Sequence, residues 1–137
     1  MTAEFIPYQQ ALALKELGFD EPCFGWFRST LIPSNFTEYF LDIEFGMNES
    51  PSDWVNSNFL DKTCSAPLYQ QAFRWFREKH DLDSFVNSEW KQTVKVGHYF
   101  NAGDYYSPQP SHLTYEEAEL ACLKKLIEIV KLKKTNL

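Results

Sequence analysis

Cysteine, glycine, positive charge in the amino half and long apolar runs are all scarce in this chain, and each scarcity removes a class of protein. The three cysteines, Cys23, Cys64 and Cys122, are odd in number and far apart. They lack the paired spacing that a zinc site or redox motif needs, and read as buried free thiols. The five glycines form no phosphate-binding loop: Gly97 and Gly103 flank strand-like residues without the required spacing, which disfavours a nucleotide enzyme. No run approaches the ~18 apolar residues of a membrane span. The start, Met1-Thr2-Ala3-Glu4-Phe5, lacks the basic and apolar regions of a signal peptide, so a cytoplasmic protein without a membrane partner is expected. Residues 1–62 carry ten acidic side chains against Lys15, Arg28 and Lys62. General nucleic-acid binding depends on Lys and Arg neutralising phosphates, and is not expected.

What is abundant is aromatic: twelve Phe, seven Tyr and four Trp in 137 residues. Such rings dominate cores and interfaces, each covering ~150–250 Å². The length suits one domain, placed at residues 1–132 with a frayed tail at 133–137. The fold class expected is α+β, a small antiparallel sheet packed by about three helices. The first helix, near 7–17, has Pro7 in its first turn and Gly18 to end it, with Phe19 folding back on Leu14. The second, near 66–79, has Ser65 as cap and Leu68, Ala72, Trp75 and Phe76 at helical spacing. The third, near 114–132, begins with Thr114 and Glu117 as a capping box, and places Glu early and Lys late, as the helix dipole favours. Strands are expected at Cys23–Arg28, Phe36–Ile43 and within Leu82–Tyr106, with a hairpin about Asn87–Lys91.

Three stretches, Ala11–Trp26, Ser65–His80 and Thr114–Leu123, occur in this order and together cover about a third of the chain. They resemble small proteins of Bacteroidetes genomes and of their phages and prophages, a family without assigned activity. The resemblance implies a source, an architecture and a phage-type accessory role, and carries over no catalytic residue.

The candidates for chemistry are few. His80, His98 and His112 are separated in sequence, and His80, Asp81 and Asp83 at a helix end read as cap and turn, so no metal site, cofactor or catalytic residue is assigned. Cys122 falls on the inner stripe of the last helix and reads as packing. Two binding surfaces stand out. Glu38, Asp42, Glu44 and Trp54 give the amino half an acidic, aromatic surface suited to a host or phage protein, since aromatic anchors supply affinity and charge selects the partner. Arg74 and Arg77, with Tyr99, Tyr105 and Tyr106, offer cations beside ring faces for a small anionic ligand or nucleotide. The first surface makes a non-enzymatic protein-interaction module the leading expectation.

Overall fold

A computed structural model describes residues 2–31, 37–43, 55–107, 112 and 114–135, with the backbone alone at 2, 29–31, 37 and 38. The fold is α+β, as the sequence suggests, with its strands divided between two three-stranded antiparallel sheets rather than gathered in one. The chain forms two compact units, residues 1–68 and 69–137, where a single domain over 1–132 is expected from length.

In the first unit, helix α1 (Tyr8–Glu16) precedes strands β1 (Gly25–Leu31), β2 (Thr37–Asp42) and β3 (Cys64–Ala66), ordered β2-β1-β3. Pro7 is extended and caps α1 from outside, its carbonyl accepting the Ala11 amide at 2.9 Å. At the other end Gly18 takes φ +100°, while the Phe19 amide reaches Leu14 O at 2.9 Å and the Gly18 amide reaches Lys15 O at 3.0 Å. These two bonds satisfy carbonyls the helix leaves orphaned, and Leu14 and Phe19 are both buried. The core also takes in Phe5, Ile6, Ala11, Leu17, Cys23, Phe27, Cys64 and Ala66.

Ser65 is not a helix cap. It lies in β3 opposite Trp26, and its amide donates to Asn56 Oδ1 at 2.8 Å. The segment is drawn into the sheet because Pro67 O accepts the Ile6 amide and Leu68 bridges to Phe5, which delays the second helix to Tyr69. Asn56 Nδ2 donates to Phe19 O at 2.7 Å, so one buried side chain joins the end of α1 to β3.

The second unit holds α2 (Tyr69–His80), β4 (Ser84–Lys91), β5 (Val94–Ala102), β6 (Tyr105–Tyr106) and α3 (Tyr115–Thr135), with strand order β4-β5-β6. Tyr69, Ala72, Trp75 and Phe76 form the buried face of α2. The hairpin turn falls at Gln92-Thr93, beyond the expected Asn87–Lys91. Asn87, Ser88 and Glu89 read as loop because they are polar, but each pairs with β5, and Gln92 takes the positive φ (56°) that a tight turn needs. The next turn, Gly103-Asp104, uses φ +59° at Gly103, whose amide donates to Asp83 O at 2.7 Å.

Helix α3 starts as expected: Thr114 Oγ1 accepts the Glu117 amide at 3.1 Å. Ala118, Cys122, Leu123, Leu126, Ile127 and Val130 are buried, and the helix packs on β4, β5 and α2. It continues past 132 to Thr135, whose hydroxyl closes on the carbonyls of Lys131 and Leu132, so residues 133–135 are helical rather than tail.

Candidate interaction surface

Alternation along β4 and β5 sorts their side chains onto two faces. Ser84, Val86 and Ser88, opposite Ala102, Phe100 and His98, face α3. There the Tyr115 ring stands edge-on to His98 at 5.8 Å, and Ser84 interacts with the Cys122 thiol. Phe85, Asn87 and Glu89, opposite Asn101, Tyr99 and Gly97, take the other face, where the Phe85 and Tyr99 rings meet edge-on at 6.2 Å.

The ladder shifts register between Glu89 and Trp90, leaving Val96 as the extra residue of a bulge in β5. From that point the hairpin leaves the body of the unit. Every residue from Trp90 to Val96 is exposed, with Trp90 at 58%, Val94 at 62% and Val96 at 40%. Lys91 and Lys95 lie among these apolar side chains. Scattered exposed hydrophobics are ordinary, but a hairpin tip that exposes an aromatic on one face, where Trp90 pairs with Lys95, and a valine on the other, where Val94 pairs with Lys91, is not.

The residues singled out from sequence fall differently. Tyr106 is opposite Asn101 and 71% exposed, on the same face as Tyr99. Tyr105 is opposite Ala102 on the α3 face, against Phe100 at 5.8 Å and beneath Lys125 Nζ at 4.3 Å from its centroid. Adjacent strand residues point to opposite faces, so the expected tyrosine cluster is split. The cation above a tyrosine is Lys125 rather than Arg74 or Arg77, which are exposed on α2. In the first unit Glu38 occupies the β2 position opposite Thr30. Asp42 Oδ2 lies 3.4 Å from Arg28 Nε on the face that also carries the exposed Phe40. Glu44 and Trp54 lie outside the described residues.

Comparison with protein-family models, curated proteins and solved structures gives no match.

The reactive groups are engaged in packing. Burial pushes each of the Cys23, Cys64 and Cys122 thiols up to about 12, so none is a thiolate near neutral pH. All three are free and buried, as their spacing suggests. His98 is 7% exposed, exchanges backbone hydrogen bonds of 2.8 Å with His112, and has no hydrogen bond at Nδ1 among the described residues. His80 packs between Trp75 and Phe76, and burial, with Lys134 and Lys133 adding, holds it below its ordinary value. No group of three His, Cys, Asp or Glu among the described residues is placed to hold a metal ion.

Sequence reasoning missed Trp90, Val94 and Val96 because it placed the turn too early. The signal was available in Trp90-Lys91-Gln92-Thr93-Val94, where apolar strand formers flank a polar pair. It also missed Glu119, a buried carboxylate on α3 whose charge adds to burial, the larger cause, in raising Tyr69, Tyr115 and Cys122. A glutamate at helical spacing within a solvent-facing run gives no local sign of burial.

Proposed function

We propose that the protein is a non-enzymatic interaction module that engages a host or phage protein through the tip of the β4–β5 hairpin. The observation that carries this reading is the unbroken exposure from Trp90 to Val96, which uncovers Trp90 on one face of the tip and Val94 on the other. Covering the exposed part of Trp90 alone is worth roughly 3 kcal/mol at ~25 cal/mol per Å². Lys91 and Lys95 at the same tip favour an acidic rim on the partner. Protonated, buried thiols and a packed His80 support binding over nucleophilic or acid-base chemistry.

The acidic surface of the amino half is a weaker carrier. Arg28 already meets the charge of the part-buried Asp42, and a surface pair of this kind contributes only about 0–1 kcal/mol, so Asp42 offers little free charge to select a basic partner. Phe40 beside it remains available as a secondary contact. A small anionic ligand has less support still, since Tyr105 lies on the opposite face from Tyr99 and Tyr106. The resemblance of three stretches to Bacteroidetes and phage proteins supports an accessory role in the cytoplasm of such a host.

Immobilised full-length protein, offered lysate from a Bacteroidetes host with and without phage infection, tests this. A partner held by wild type and by F40S/D42N, and lost by W90A/V94S, is the expected result. Equal retention by the tip variant, or no specific partner, contradicts it.

A further inference from the structure

The edge of the second sheet is the surface that says most about what it accepts. Strand β4 ends the order β4-β5-β6 and pairs only with β5 among the described residues. None of its eight residues is buried, whereas five of the last six residues of β5 are. Edge strands are ordinarily protected by mid-strand charge, proline or a bulge of their own. Ser84-Phe85-Val86-Asn87-Ser88 has no charge and no proline, and the bulge lies in β5. The charges stand toward the two ends instead: Asp83 just before the strand, and Glu89 and Lys91 near its close, with Asp83 and Lys91 exposed.

We propose that β4 pairs with β4 of a second copy, antiparallel about a two-fold axis through Asn87, joining two three-stranded sheets into one of six strands. In this register Asp83 of each copy lies opposite Lys91 of the other, and Phe85 opposite Glu89, with like faces of the two sheets on the same side. Parallel pairing sets Asp83 beside Asp83 and Lys91 beside Lys91. Moving the axis to Val86 sets Asp83 opposite Glu89. Like charges directly opposite are destabilising and opposite charges stabilising. An axis at Trp90 also joins Glu89 to Lys91 but leaves Ser84–Ser88 without a partner strand. Charge order together with pairing along the whole of β4 therefore selects a second copy, an antiparallel direction and one register. Trp90 and Lys91 belong to both this edge and the tip, whereas the Val94 and Val96 side chains of the tip belong to β5 and lie outside the pairing.

Sedimentation velocity on the full chain over a wide concentration range tests the pairing. Wild type is expected to dimerise, D83K and K91D each to remain monomeric, and the charge-exchanged D83K/K91D to dimerise again. Asp83 and Lys91 are exposed, so these variants leave the fold intact. Oxidation of N87C is expected to give an intermolecular disulfide dimer, while F85C and E89C cross-link only when mixed. V94S/V96S is expected to keep the dimer while losing the captured partner, which separates this inference from the proposed function. A wild type that stays monomeric, a dimer indifferent to D83K and K91D, or cross-linking of F85C alone overturns the proposal.

Discussion

The Lys15 ammonium directs its donors at three carbonyls, Phe59 O at 3.0 Å, Asp61 O at 2.9 Å and Thr63 O at 2.7 Å, and so fixes the segment leading into β3. Hydrogen bonds to a charged group contribute about 1.5–3 kcal/mol, and removing the donor leaves the carbonyls to water or to nothing. Lys15→Met is therefore expected to lower the unfolding free energy by roughly 1.5–3 kcal/mol, read from the urea midpoint at unchanged slope. His80 makes stability depend on pH. Burial, reinforced by Lys134 and Lys133, holds its imidazole below the ordinary 6.5, so the folded chain binds this proton less readily than the unfolded chain. The stabilisation is complete above about 6.5 and is lost as pH falls through that value toward the lower folded one. Denaturation followed from pH 8 downward is expected to show this loss in wild type and a shallower one in His80→Gln. The sequence places Lys15 on one stripe with Tyr8, Ala11 and Leu12, and His80 on one with Tyr69, Phe73 and Phe76. His80 packs on the aromatic face as its spacing suggests, while the three carbonyls that Lys15 meets are more than forty residues away and leave no local sign.

At the level of elements, what is local was legible and what depends on distant pairing was not. Helix α3 could be read from Thr114, Glu117 and its apolar spacing, and the end of α1 from Gly18 and Phe19, because caps act within a turn or two of the chain. Ser65 misleads because its strand identity comes from Trp26, Asn56 and Ile6, none of them near it in sequence. The β4–β5 turn misleads because Gln92 adopts positive φ without being glycine or asparagine, while Asn87, which suits a turn, lies in a strand. The tyrosine cluster failed for an elementary reason: Tyr105 and Tyr106 are neighbours in a strand and cannot share a face. Gly97 is the element-level test of the second sheet. A Cβ there would stand 2.8 Å from His112 O, at the bridge where His98 and His112 exchange hydrogen bonds. Gly97→Ala is expected to cost about 1–3 kcal/mol, as overpacking generally does, and to accelerate amide exchange at His98 and His112.

Over the whole molecule, the excess negative charge is carried by one unit, while exposed apolar side chains occur in both, Phe24, Phe40 and Leu60 being those of the first. Residues 1–68 hold a net charge of −7 and residues 69–137 a net of +1, while Trp90, Val94, Val96 and Tyr106 all belong to the second. This division lets salt separate the two modes of binding. Screening contracts to about 3 Å at 1 M ionic strength, so a contact made by the acidic unit weakens steeply, and one made by the hairpin tip persists. Capture of the partner is expected to survive that wash. The central claim, that the tip of the β4–β5 hairpin is the contact surface, is tested most directly by amide hydrogen exchange of the full chain with and without its captured partner. Protection is expected over residues 88–97, centred on Trp90 to Val96. Protection confined to 37–42 of β2, or no change within the hairpin, would contradict it.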